Sequence, residues 1–364
     1  MKEMQFAAIM LLTLMALMLT TLLPRRVRDD SVANRSRWLM TAGLALMAIQ
    51  FVIQYITGWR TTNVPLAVAT NLVFFIPAGA LMPLNILNLL RQGRLTRTEW
   101  LVGVPTWIVA AGLLAVGIAG GGSRLLWAEI GASICYVLMQ LYYNWLQLKE
   151  VSRMELVLAD YYDEERCGLL WWMKISIVLL AVITVLVPLL IFTGGWSLAA
   201  FALFFFLSMY YLWFCFVRYV LTGASRRVRE AEQSAAQEVR ETEALAADSP
   251  TATAAASSEA LQRADEAVAR WIAAGGHLHS GTTKPVAAQE MHVPLYLLSA
   301  WLKDHGHPSY TRWMTTLRID EAKRVLKAHP EWNVEAVADH CGISRTHFQR
   351  VFKQEVGNSP ADFS

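Results

Sequence analysis

The chain has 364 residues, of which 55% are hydrophobic and only 17% charged, with a mean hydropathy of +0.35 and a formal net charge of +3. These values exclude an ordinary soluble domain and call for membrane spans. The four cysteines, Cys135, Cys167, Cys215 and Cys341, have no paired spacing, and two stand in apolar runs, so neither a disulfide framework nor a zinc site is indicated.

Apolar runs of about 20 residues, the length that crosses a bilayer, fall near Phe6 to Leu23, Trp38 to Thr57, Val64 to Leu90, Leu101 to Ala119, Leu125 to Leu148, Trp171 to Phe192 and Ser197 to Val220. The pattern predicts about seven transmembrane helices. Between the first and second runs lie Arg25, Arg26, Arg28, Arg35 and Arg37, and between the third and fourth lie Arg91, Arg94 and Arg97. The fifth connection carries Lys149, Arg153 and Arg166, and the seventh run ends at Arg218 with Arg226, Arg227 and Arg229 beyond. Alternate connections hold little more than Arg60 and Arg124. The positive-inside rule therefore puts the N-terminus outside and the C-terminus in the cytoplasm of a multi-pass membrane protein. Read instead as a cleaved signal peptide, the first run would leave the arginine cluster outside, against that rule, and no small-residue cleavage site precedes Pro24.

Gln50, Gln54, Asn71, Asn85, Asn88, Glu129, Gln140 and Asn144 stand inside the apolar runs. Glu129, being ionisable, is a functional candidate near the outer face, while hydrogen bonding between helices accounts for such residues in general. The longest cytoplasmic loop, Lys149 to Gly168, holds Asp160, Asp163, Glu164 and Glu165, which read as a solvated acidic face. Ala224 to Ala247, rich in Ala, Glu, Arg and Gln, predicts a helix continuing from the membrane. Asp248 to Ser258 reads as a flexible linker, and a second helix starts at Glu259. The predicted division is a membrane domain over 1–222, a juxtamembrane helix and linker over 223–258, and a C-terminal domain over 259–364.

The stretch NVEAVADHCGISRTHFQRVFKQEVGNSPADF, Asn333 to Phe363, names a function by its spacing. Asn333 is a good N-cap, and Val334, Val337, Ala338 and Cys341 recur at helical spacing. Gly342 breaks that helix, Ile343 and Ser344 complete a turn with Ser344 placed to cap a second helix, and Phe348, Val351 and Phe352 give that helix its apolar face. Ala338, small where two helices cross, stands four residues before a glycine able to turn, which fits a helix-turn-helix. Arg345, Thr346, Gln349 and Arg350 then face outward, with Ser344, His347 and Lys353 beside them, as side chains able to read base edges or grip phosphates.

This segment resembles the second half of an AraC/XylS-type DNA-binding domain. The resemblance spans roughly Trp271 to Phe363 and rests on LRIDEAKRVL (Leu317 to Leu326), Val334 to Gly357 and the closing SPADF (Ser359 to Phe363). It implies two helix-turn-helix units joined by a long helix, LRIDEAKRVL. Thr282 to Leu302 has the skeleton of the first unit, with Pro285 in a first turn, Ala288 at the crossing, and Leu298 and Trp301 as core. It departs from the pattern where His292 replaces the usual glycine. Its outward positions are Leu295, Tyr296, Ser299 and Ala300; Tyr296 and Ser299 can serve phosphates, and packing or dimerisation is an equal role for the unit.

All eight histidines follow Gly276, but no cysteine or carboxylate stands at ligand spacing, so no metal or other cofactor is expected. From Gly275 onward ten Lys/Arg face nine Asp/Glu, too even a balance for strong general attraction to DNA, so affinity must come from pairing of two copies or from the local basic face of Arg345, His347, Arg350 and Lys353. No nucleotide loop, paired catalytic carboxylates or HExxH motif is present, and no enzymatic activity is expected. The expected fold is all-α: a transmembrane bundle of about seven spans with a cytoplasmic AraC-like domain. The expected function is that of a bacterial membrane-embedded one-component transcription regulator. Its partners are double-stranded DNA, the lipid bilayer, a second copy on DNA and an unidentified small-molecule or membrane signal. The alternative is a transporter- or channel-like protein whose C-terminal part is an interaction module.

Overall fold

The computed structural model describes residues 2–164, 167–190, 196–248 and 253–363, and all regular elements among them are helices. In chain order these are α1 (Lys2–Thr21), α2 (Arg25–Asp29), α3 (Ser31–Thr57), α4 (Trp59–Thr62), α5 (Val64–Leu90), α6 (Arg97–Gly120), α7 (Gly122–Tyr161), α8 (Trp171–Leu190), α9 (Trp196–Leu221), α10 (Ala224–Asp248), α11 (Thr253–Ala273), α12 (Lys284–Glu290), α13 (Leu295–Asp304), α14 (Tyr310–Ala328), α15 (Val334–His340) and α16 (Arg345–Val356). They fall into two compact units, one of residues 1–153 and 169–227, the other of residues 154–168 and 228–364.

In the first unit α1, α3, α5, α6, α7, α8 and α9 are the seven described helices long and apolar enough to cross a membrane. α3 packs along both α1 and α5, α5 against α6, and α8 against α9. The polar residues within the spans are drawn inward. Gln50 and Gln54 both donate to the Asn71 side chain, and Asn88 Nδ2 donates to the Val32 carbonyl (2.9 Å) and to Ser36 Oγ (2.7 Å). Hydrogen bonds of this kind hold helices together in hydrocarbon, where an unpaired amide has no water to turn to. Glu129 is buried, with its Oε1 lacking a partner among the described residues. Arg91, just past α5, bridges Glu99 on α6 and Glu150 on α7, the latter at 2.8 Å, while Arg153 closes on Glu150 at 2.9 Å. Basic residues expected in one set of loops thus gather at one end of three helices.

The second unit holds two apolar cores that share α14. The first joins Val268 and Trp271 of α11, Ala287 and Ala288 of α12, Leu298 and Trp301 of α13, and Trp313 and Met314 of α14. The second joins Ile319, Ala322 and Val325 of α14 to Val337, Ala338 and Cys341 around α15 and to Phe348, Val351 and Phe352 of α16. Two local expectations are corrected. α10 does not continue the seventh span, because Gly223 takes a left-handed φ of +73° after α9 ends at Leu221. α11 begins at Thr253, ahead of Glu259, so the last six residues of the expected linker are helical, and residues 249–252 lie outside the described ones.

Candidate nucleic-acid interface

The second helix-turn-helix is built from local signals. The Asn333 side chain accepts from the Ala336 amide (2.8 Å) and caps α15, and the Ile343 amide donates to the Ala338 carbonyl (3.0 Å) to close the turn. Gly342 sits at φ +67°, and a Cβ there would stand 2.1 Å from the Leu278 carbonyl oxygen, so the position requires glycine for conformation and for space. Ser344 occupies the N-cap position of α16 but its side chain makes no capping bond and is exposed.

Along α16, Phe348, Val351 and Phe352 are buried, while Arg345, Thr346, Gln349, Arg350 and Lys353 are exposed and His347 is half-buried. Arg345 Nη1 lies 3.4 Å from Glu335 Oε2 on α15, and Arg350 Nη2 donates to His347 Nδ1 at 3.0 Å. Beneath them, on α14, Arg324 first and then His340 hold the Glu321 carboxyl down at about 2, and burial pushes the Cys341 thiol up to about 12. The cysteine is therefore a small apolar filler rather than a nucleophile.

The first unit has the same plan with a strained turn. His292 adopts φ +56°, the left-handed conformation that glycine supplies elsewhere. Leu295, Tyr296 and Ser299 are half-buried and Ala300 is exposed. The Ser299 hydroxyl donates to the Leu295 carbonyl (3.1 Å), within its own helix. Leu295 and Tyr296 line a cleft of about 810 Å³ with Pro285, Gln289 and Pro294, and its opposite wall is Glu230, Gln233, Gln237 and Glu241 of α10.

The expected solvated acidic face is corrected at Asp163, while Asp160 is part-exposed and paired. Asp163 is 1% exposed, and its Oδ2 accepts from the Gly281 amide (2.7 Å), the Thr282 amide (3.1 Å) and Arg318 Nη2 (2.8 Å). Arg318, also 1% exposed, donates in addition to the carbonyls of His277 (2.8 Å) and His279 (2.7 Å). Asp160 Oδ2 lies 2.5 Å from Lys284 Nζ, which is itself 3.0 Å from Glu238 Oε2 on α10. Burial explains the pairing of Asp163, Arg318 and Lys284, since an unpaired charge at these positions would carry a large desolvation cost, while the Asp160 side chain stays 44% exposed. Glu165 lies outside the described residues. A sequence signal for the missed pair does exist: Arg318 falls on the buried stripe Met314–Arg318–Ala322 of α14, where a charge needs a partner.

Residues 287–364 match a family model described as a helix-turn-helix domain. The C-terminal part is an AraC-type helix-turn-helix domain. No curated protein and no solved structure matches the chain. The AraC-type domain therefore follows seven candidate membrane spans in a single multi-pass chain, and it is the part for which a family is identified. Asp160, in the last turn of α7, and Asp163, just past it, grip this part of the chain from far upstream of the matched region.

Proposed function

We propose that the chain is a membrane-embedded one-component transcription regulator, in which the membrane domain senses or anchors and the AraC-type domain binds specific double-stranded DNA as a homodimer. The observation that carries the reading is α16: five polar or cationic side chains on its exposed face, with three large apolar ones buried beneath. That arrangement suits a recognition helix in a major groove. Arg345, Thr346, Gln349 and Arg350 read bases, while Ser344, His347 and Lys353 meet the backbone. Tyr296 and Ser299 of α13 serve phosphates once the first unit reaches DNA.

Sidedness has two supports. The arginine-rich connections follow spans one, three, five and seven, and the positive-inside rule makes that side cytoplasmic. Asp163 in the connection after span five also bonds the AraC-type domain that follows span seven, which agrees with one side of the membrane for both.

A binding competition of full-length variants against a randomised duplex pool tests the reading. Arg345→Ala and Arg350→Ala should weaken binding, and whichever arginine reads a base should relax preference at one position, worth about 1–3 kcal/mol. Wherever the first unit is engaged on DNA, Tyr296→Phe should weaken all sequences alike, because phosphate contacts position without specifying. An unchanged preference in both arginine variants would remove α16 as the reading helix. A reporter fused after Gly223 that reads as periplasmic would remove the function itself.

A further inference from the structure

The surface of the first helix-turn-helix that would meet DNA faces a wall of its own chain. Leu295 and Tyr296, at the start of α13, look across the 810 Å³ cleft at Glu230, Gln233, Gln237 and Glu241 of α10. These four recur at intervals of three and four residues, so they form one stripe of that helix. A duplex carries a negative charge for every ~1.7 Å of its axis. The helix stands where its phosphates would pass and takes up its space, and the Glu241 carboxylate on that stripe repels them.

The wall is fastened to the domain that it covers. Lys284, the first residue of α12, is 2% exposed and lies between Glu238 of α10 (3.0 Å) and Asp160 of the fifth connection (2.5 Å). Behind it, Asp163 takes the Gly281 and Thr282 amides and the Arg318 guanidinium, and the Thr311 hydroxyl donates to the Tyr162 carbonyl. A lysine shared by two carboxylates is a point charge on a flexible stem, and it keeps one partner when the other leaves.

We infer that α10 is an autoinhibitory helix: its acidic stripe masks the first helix-turn-helix, and the Lys284–Glu238 pair latches it closed. This rests on the regulator reading and adds how the regulator is controlled. In the latched state the second unit alone reaches DNA. Release of Glu238 leaves Lys284 on Asp160, so the domain keeps its hold on the loop while α10 swings clear. Asp160 lies in the last turn of α7 and Asp163 two residues past its end, so movement of that end of the helix acts on the latch through them.

The test uses the full-length protein in lipid nanodiscs and a duplex that it selects from a randomised pool. Glu238→Gln, and separately the double variant Glu230→Gln with Glu241→Gln, should each bind that duplex at least five-fold more tightly than the parent. Glu243→Gln is the control: it removes the same charge from the opposite side of α10, and it should change affinity by less than two-fold. Hydroxyl-radical footprints supply a second readout, because engagement of the first unit should lengthen protection by about one helical turn, ~10 base pairs. Parent-like affinity and footprint in the Glu238 and Glu230/Glu241 variants would overturn the inference while leaving the regulator reading intact. So would an equal gain from Glu243→Gln, which would mean general charge rather than a mask. If the parent and every variant bind no duplex, the regulator reading falls and the inference with it.

Discussion

Replacing Gly342 with alanine tests the packing between the turn of the second helix-turn-helix and the loop before the first. At φ +67° an L residue costs about 1–2 kcal/mol. The added Cβ would lie 2.1 Å from the Leu278 oxygen, 2.9 Å from its carbonyl carbon and 3.1 Å from the Ser280 nitrogen, all backbone atoms that cannot rotate away. Nor can the loop drift freely, since Arg318 holds the His277 and His279 carbonyls at 2.8 and 2.7 Å. Overpacking of this kind costs about 1–3 kcal/mol, and the stiffer unfolded chain returns about 0.4–1 kcal/mol. The net loss should be about 2–4 kcal/mol. Gly357→Ala is the matched control, with φ +87° and open space around the new methyl, and it should lose about 1 kcal/mol from conformation alone. Hydrogen exchange of the α15 and α16 amides in the full-length protein reads both losses. Equal losses would refute the close approach of Gly342 to the Leu278 carbonyl.

His292→Gly should stabilise the first unit by about 1 kcal/mol, because it removes a left-handed strain at φ +56°, and a loss of protection in α12 and α13 would argue against that strain. Asp163→Asn breaks a buried ion pair and should cost about 3–5 kcal/mol, seen as faster exchange of the Gly281 and Thr282 amides that donate to it. Burial lowers the pKa of His277, so the unfolded chain takes up its proton first as pH falls. The resulting stability is complete above the unfolded value of about 6.5 and is lost as pH falls toward the folded one. Comparing denaturation at pH 7.5 and 5.5, His277→Gln should show a smaller acid loss than the parent; an identical loss would assign the pH dependence elsewhere.

The second helix-turn-helix is legible in the sequence because its instructions are local. Asn333 caps, Gly342 turns, and Phe348, Val351 and Phe352 repeat at helical spacing, each acting on neighbours a few residues away. The spans are equally plain, since length and apolarity suffice. Asp160 and Asp163 escape a sequence reading because their partners lie 118 to 155 residues later, and no periodicity connects an aspartate in one loop to an arginine in a distant helix. Gly223 escapes it for a related reason: helix propensity on both sides argues for continuity, and one residue with a left-handed φ overrides it. His292, by contrast, is conspicuous as a departure from the pattern, and its strained backbone shows that the turn keeps its shape without the usual residue.

The aspartate at 163 also changes what counts as a module. A domain read from its family match starts at residue 287, yet the guanidinium in the middle of α14 is neutralised by a residue from between two membrane helices. Grafting the C-terminal segment onto another anchor would transplant Arg318 without its counter-ion. The interchangeable piece is therefore discontinuous, the short connection between α7 and α8 together with the tail. In descent, any exchange of the DNA-reading end would have to bring a matching loop or a substitution at Arg318.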